Sequence, residues 1–162
     1  MPNWLYVFLI SMAPIIELRG AIPIAAFLNN TSGDLPFWLA YIVAVAGNML
    51  PVPFILFFIV WFLGLMQKCR INWISRFAGW IIRKGEKAAK KLKYGAFIGL
   101  FLFVAIPIPG TGAWTGSLIA ALMGFDKRWS ALAIFCGVLV AGVIMTLGFY
   151  GGVEILQIFG KK

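Results

Sequence analysis

The chain has 162 residues, of which 62% are hydrophobic and 12% are charged, and its 14 basic and 5 acidic residues give a net charge of +9. Soluble domains carry about 25% charged residues, so the composition excludes an ordinary soluble domain and indicates an integral membrane protein. Because the chain has no histidine and only two cysteines, side chains that bind transition metals are nearly absent. We predict neither a metal nor another cofactor.

The first apolar segment, residues 4–28, is interrupted from Pro14 to Gly20 by PIIELRG. A polar turn, NNTSGD, and a second apolar segment, residues 35–66, follow it. A membrane crossing needs about 20 apolar residues, whereas half-helices of about twelve residues reach only past the midplane. The pattern predicts a re-entrant hairpin over 4–28 and a transmembrane helix over 35–66.

The next segment, residues 67–93, is basic and holds nine of the 14 basic residues. Tryptophan, isoleucine and phenylalanine alternate there with basic residues at helical spacing, which is typical of an amphipathic helix on an anionic membrane surface. Nucleic-acid binding is the other interpretation of such a run. In an otherwise apolar chain, a cytoplasmic segment at the membrane surface is favoured.

The second half repeats the plan of the first. An apolar segment, residues 97–125, is interrupted from Pro107 to Gly116, and the turn DKR precedes a last apolar segment, residues 129–159. A shift of 95 residues without gaps aligns Pro14 with Pro109, and the triplet VAG of residues 45–47 with that of residues 140–142. We predict one membrane domain, 1–162, made of repeats 1–66 and 94–162.

The distribution of charge predicts the topology. If each repeat crosses the membrane once, the second repeat is inverted, and the basic linker and the DKR turn lie on one side. That side holds eleven of the 14 basic residues and is therefore predicted to be cytoplasmic. The expected fold is an all-α integral membrane protein, in which an inverted repeat of re-entrant helical hairpin and transmembrane helix is joined by a basic amphipathic cytoplasmic helix. Broken helices that meet near the midplane are typical of secondary transporters.

Glu17 and Arg19 lie in the first interruption, where a charge is costly and usually functional. The planar guanidinium of Arg19 suits a phosphate or carboxylate, and Glu17, as a desolvated carboxylate, would exchange a proton during transport. The structural alternative is a mutual salt bridge that holds the hairpin tip.

The second interruption, AIPIPGTGAWTGS, has no charge. Its glycines allow backbone N–H groups to converge on an anion, and the following half-helix directs its positive dipole end to the same place. We predict that the substrate binds Arg19, Gly110, Thr111, Gly112 and Trp114. The residues predicted to shape the two hairpins are Pro14, Gly20, Pro23, Pro107 and Pro109.

The stretches ELRGAIPIA and PIPGTGAWTGS resemble the putative small multidrug export proteins over nearly the whole chain. That family is similar to the wider DedA group of VTT-domain membrane proteins, which have two facing re-entrant hairpins in an inverted repeat. Glu17 and Pro23 resemble the acidic and proline positions of the first DedA hairpin, and Pro109-Gly110 resembles the second. The DedA pattern has an arginine where this chain has Gly112. The resemblance implies a membrane transporter, with lipids such as undecaprenyl phosphate as substrates and the proton-motive force as energy source.

The leading hypothesis is a transporter or flippase of an anionic amphiphile, coupled to protons or cations, with polyprenyl phosphate as a candidate. The runner-up is a proton-coupled small multidrug exporter. A membrane enzyme is disfavoured because the ligands for metal-dependent phosphotransfer are missing, and an assembly protein because it would not need a buried charge pair. The expected partners are anionic lipid head groups and a second copy of the chain in a homodimer in the cell membrane, and nucleic acid is not expected.

Overall fold

The computed structural model describes residues 2–33, 35–67, 76, 79, 83, 93–108 and 110–160. Its described residues are helical, with no strand. The predicted amphipathic helix of the linker, residues 67–93, lies almost wholly outside the described residues. The helices, in chain order, are α1 (Asn3–Met12), α2 (Glu17–Ser32), α3 (Phe37–Met49), α4 (Pro51–Gln67), α5 (Lys93–Ala105), α6 (Ala113–Leu122) and α7 (Lys127–Gly160).

Both predicted interruptions break the helix, but each is shorter than the sequence indicated. α1 ends at Met12 because Ala13 adopts extended backbone angles (φ −69°, ψ 132°), as expected of a residue before proline. Since α2 starts at Glu17, Gly20 and Pro23 lie inside this helix and not in the turn. In the second half, α5 ends at Ala105 and α6 starts at Ala113, so Gly116 lies within α6.

Within the described residues, two stretches of helix are long and apolar enough to cross a membrane: Phe37–Ile59, with 23 residues, and Lys127–Gly151, with 25 residues. The first consists of α3 and part of α4, and the position between them, Leu50, precedes Pro51. Proline lacks the N–H that a helix interior needs, which explains the interruption. The 10 residues of α1 rise about 15 Å and could not cross a hydrocarbon core of about 30 Å.

The half-helices of each half pack on each other and on the long helix that follows them. α1 contacts α2 and α3, and α5 contacts α6 and α7. The two halves join through the pairs α4–α6, α2–α7 and α3–α7. The largest fully buried apolar side chains lie on five of these helices and in the turn before α3: Val7, Leu18, Ile22, Leu35, Val52, Val104, Ile134 and Val138.

One close helix approach occurs in both halves. A Cβ at Gly47 of α3 would lie 2.5 Å from the carbonyl oxygen of Phe8 and 3.1 Å from Cβ of Ser11. A Cβ at Gly137 of α7 would lie 2.9 Å from the carbonyl oxygen of Phe101 and 2.8 Å from Cβ of Val104. In each half, a glycine of the long helix therefore contacts two residues, three positions apart, of the first half-helix. The gapless alignment instead pairs Gly47 with Gly142.

The two long helices run antiparallel to each other. The hydroxyl of Tyr41 on α3 donates to the carbonyl of Leu139 on α7 at 3.2 Å. Further along α7, the hydroxyl of Tyr150 donates to the carbonyl of Leu35, before α3, at 3.3 Å. Contacts that advance along α7 while they recede along α3 require opposite helix directions.

Candidate functional site

The start of α2 has an unusual backbone conformation at Glu17. Its φ of 50° is the one positive value at a non-glycine residue within the described ranges, and such a left-handed conformation costs about 1–2 kcal/mol. The N–H of Glu17 still donates to the carbonyl of Ala13 at 2.9 Å. Strained residues of this kind are found at functional sites, so the conformation directs attention to the Glu17 side chain.

The carboxylate of Glu17 lies at the N-terminus of α6, in the other half of the chain. Its Oε1 accepts the backbone N–H of Trp114 at 3.0 Å. Trp114 is the second residue of α6, where backbone N–H groups have no partner within the helix. The Glu17 side chain is 7% exposed and compensates the positive end of the α6 dipole. It occupies the place that we predicted for an anionic substrate.

The guanidinium of Arg19 compensates the opposite helix end. Its Nη2 lies 3.2 Å from the carbonyl oxygen of Val104 and 3.0 Å from that of Ile106, at the C-terminus of α5. The same Nη2 lies 2.9 Å from Oγ1 of Thr111, and Nη1 donates to Oε2 of Glu17 at 3.0 Å. A positive charge is favourable at a helix C-terminus. The tip of the first hairpin therefore places a negative charge at the positive N-terminus of α6 and a positive charge at the negative C-terminus of α5.

The turn between α5 and α6 leaves room for this charge pair. A Cβ at Gly112 would overlap the Glu17 carboxylate and would lie 2.5 Å from Nη1 of Arg19. Gly110 has a φ of 86°, which favours glycine. The hydroxyl of Thr111 lies 2.9 Å from the carbonyl oxygens of both Ile106 and Ile108, so it closes the turn while accepting from Arg19.

Trp114 also connects the two tips, through a donor on the second hairpin and an acceptor on the first. Its indole Nε1 donates to the carbonyl of Met12 at 3.0 Å, and Met12 is the last residue of α1. Each hairpin therefore satisfies backbone groups at a helix end of the other. The two tips form one continuous polar contact.

The structure brings together most of the residues predicted to bind the substrate or a proton. Glu17, Arg19, Thr111 and Trp114 share hydrogen bonds, and Gly112 lies against the charge pair. Gly110 is in the same turn, but a Cβ there would have no neighbour within 4 Å. Of the residues predicted to shape the hairpins, Pro14 and Pro107 lie in the breaks, Gly20 and Pro23 lie in α2, and Pro109 is outside the described residues.

One donor of the charge pair has no acceptor among the described residues. Nε of Arg19 is buried and makes no hydrogen bond within the described part of the chain, while Nη2 is shared among three acceptors. A buried N–H without a partner is uncommon and calls for an explanation. A ligand oxygen that reached Arg19 would supply the missing acceptor.

Two features of the site were not predicted from the sequence. The first is the pair of carbonyls of Val104 and Ile106, because backbone groups leave no trace in side-chain identity. The second is an apolar cavity of about 540 Å³ beside the charge pair, lined by Pro14, Phe54, Ile55, Phe58, Ile59, Trp114, Thr115 and Leu118. Among the described residues, no group of three or more cysteine, aspartate or glutamate side chains could hold a metal ion.

A family model described as "Putative small multi-drug export protein" matches residues 17–144. This match begins at Glu17 and includes the charge pair, the second hairpin and about half of α7. Neither a curated protein nor a solved structure matches the chain.

Proposed function

Because the chain belongs to the putative small multi-drug export protein family, we propose that it is a membrane transporter whose cargo is an anionic amphiphile, moved together with a proton. The observation that carries the proposal is the position of Glu17. Its carboxylate occupies an anion site built from the N-terminus of α6 and Arg19. An anionic cargo would use the same donors once Glu17 had left them.

The contacts of Glu17 suggest how a proton is coupled to the cargo. Protonation removes the charge that Glu17 offers to Arg19 and to the Trp114 N–H, and both interactions weaken because charge-assisted hydrogen bonds are about twice as strong as neutral ones. The anionic head group then binds Arg19 and the α6 N-terminus in place of the carboxylate. Since the cargo binds only when Glu17 is protonated, proton and anion move in the same direction.

The unpaired donor of Arg19 favours an anion over a cation. In the part of the chain that the structure describes, Nε of Arg19 has no acceptor, and an anionic head group provides a pair of acceptor oxygens that the planar guanidinium fork can bind. Phosphate is the preferred head group, because the resemblance to the DedA group suggests polyprenyl phosphate.

The proposed architecture is the inverted repeat with two re-entrant hairpins. The pairing of α1 with α2 and α3 matches that of α5 with α6 and α7, and the pair α4–α6 matches the pair α2–α7. The antiparallel contact of α3 with α7 agrees with inversion. Nζ of Lys127 lies 4.5 Å from the ring centroid of Phe57 on α4, the helix that leads into the linker, which agrees with a common side for the DKR turn and the linker. The excess of basic residues makes that side the cytoplasmic one in the proposal. We place the protein in the cell membrane, as a homodimer with anionic lipids among its partners.

The second candidate function is proton-coupled export of small cationic drugs. It is favoured by the carbonyls of Val104 and Ile106, which together with Glu17 form a negative site that Arg19 fills. A cation would bind after Glu17 lost its proton and would compete with Arg19. The drug and the proton would then move in opposite directions, so the direction of coupling distinguishes the two functions.

The test uses proteoliposomes with a fluorescent alkyl phosphate, whose location is read with a quencher that does not cross the membrane. With the wild type, we expect movement that follows an imposed pH gradient. Arg19→Gln should abolish movement, and Glu17→Gln should allow it without a response to the gradient. Arg128→Gln, an exposed arginine in the DKR turn, is the matched control and should behave as the wild type.

Two results would oppose the proposal. If neither Glu17→Gln nor Arg19→Gln altered the movement of the alkyl phosphate, the charge pair would not be the anion site and the proposal would fail. If an aromatic cation were exchanged for protons, and this exchange were lost in Glu17→Gln but kept in Arg19→Gln, drug export would be the function.

A further inference from the structure

The apolar cavity beside the charge pair is a groove between α4 and α6. We propose that this groove binds the hydrocarbon tail of the cargo while the anionic head group is at Arg19, an inference that rests on the proposed function. Its volume of about 540 Å³ lies within the range of about 300–1,000 Å³ that is usual for small-molecule sites. Thr115 provides the one side-chain hydroxyl among the lining residues.

The groove and the charge pair are adjacent. Trp114 lines the groove and also donates its backbone N–H to Glu17 at 3.0 Å. Pro14 also lines the groove and precedes Glu17 by three residues in the tip of the first hairpin. A single molecule with a charged head and an apolar tail can therefore contact both places at once.

The groove is open on the side of α4. Phe54 is 68% exposed and Phe58 is 56% exposed, so a tail can enter sideways from the hydrocarbon core, and a long tail can extend beyond the groove into the bilayer. A lipid tail gains little by moving from other lipid tails to apolar side chains. The head group must therefore provide most of the binding energy, and the groove provides the space that the tail needs while the head group is bound at Arg19.

The first test compares dodecyl phosphate with ethyl phosphate, each titrated into the protein in nanodiscs. Ile55→Trp should fill the groove, weaken binding of dodecyl phosphate about tenfold and change binding of ethyl phosphate less than about twofold. Leu147→Trp, at a position that is 71% exposed on α7, is the matched control and should leave both affinities unchanged. Equal affinity for dodecyl phosphate in wild type and Ile55→Trp would overturn the inference.

The second test uses the wild-type protein, so no variant has to fold. A dodecyl phosphate with a diazirine at the end of its chain should label residues 54–59 of α4 and residues 114–118 of α6 on illumination. Unlabelled dodecyl phosphate should compete, and phosphatidylcholine should not. Labelling that phosphatidylcholine removes equally well would assign the groove to bulk lipid and overturn the inference.

The two tests also separate the inference from the function on which it rests. If both phosphates bind alike and Ile55→Trp has no effect, the groove assignment fails while the anion site stands. If neither phosphate binds the wild type, the anion site fails and the groove assignment fails with it.

Discussion

Gly112 shows how much the site depends on a missing side chain. The Glu17 carboxylate lies where the Cβ of residue 112 would be, and the gapless alignment of the two halves pairs these same positions. Under the proposed inverted repeat, Glu17 and residue 112 are equivalent positions, and equivalent residues meet only near the axis that relates the two halves. The sequence therefore contained a signal for this contact, but alignment alone does not show that two aligned positions touch.

At Gly112 we predict that alanine separates the two hairpins. The residue has a φ of −81°, which any residue adopts, so the effect of Gly112→Ala is steric and comes from overlap with Glu17. We expect a loss of about 1–3 kcal/mol in the free energy of unfolding, as for other overpacked sites, measured by denaturation in mild detergent. Gly99→Ala, at a helical position with no neighbour within 4 Å, is the control and should be neutral or slightly stabilising.

Glu17 and Arg19 should show strong energetic coupling. Loss of one partner of a buried ion pair costs about 3–5 kcal/mol, because the other charge stays buried without compensation. We therefore predict that Glu17→Gln and Arg19→Gln each destabilise the protein, and that the double variant loses less than the sum, with a coupling energy of about 2 kcal/mol. A double-mutant cycle in detergent measures it, and strict additivity would contradict the pair.

At the scale of helices, the sequence predicted breaks better than contacts. Pro14 and Pro107 indicated where helices stop, because proline restricts the residue before it and removes a hydrogen bond. Pro23 has the same chemistry but lies inside α2, where packing against α1, α3 and α7 holds the helix together. The effect of proline on the backbone therefore predicted both breaks, but it did not predict that Gly20 and Pro23 lie inside α2.

The close approach of α7 to α5 gives a prediction for an element. Gly137→Ala would place a methyl group 2.8 Å from Cβ of Val104, so the two helices must move apart. We expect a loss of about 1–3 kcal/mol in stability, read from the unfolding midpoint in detergent. Gly148→Ala on the same helix, with no neighbour within 4 Å, is the matched control, and an equal effect at both glycines would refute the role of this contact.

For the whole molecule, the sequence predicted the helical class and the spans. Length and apolar character are enough to identify Phe37–Ile59 and Lys127–Gly151, since both are summed over many residues. The gapless alignment pairs Gly47 with Gly142, whereas the close approach of Gly47 to α1 resembles that of Gly137 to α5. Apolar residues are interchangeable on a lipid-facing surface, so matches among them carry little information about register.

Topology is the testable property at this scale. We predict that a cysteine at exposed Thr31, after the first hairpin, reacts with an impermeant maleimide from outside intact cells, and that one at exposed Arg128 reacts only after the membrane is opened. Both are introduced after Cys69 and Cys136 are replaced by serine. Labelling of both positions from the same side would exclude the inverted arrangement.

The paired charges at the hairpin tips have a further consequence for the energetics of the cycle. When Glu17 and Arg19 are paired with each other, their charges sum to zero. In the proposed cycle, Glu17 takes a proton and Arg19 takes a phosphate monoester in its monoanionic form, and the sum is again zero. A membrane potential does about 2.3 kcal/mol of work on each elementary charge per 100 mV, but neither state carries a net charge across. The chain would thus draw on the pH gradient and on the gradient of its cargo, and would be electrically silent.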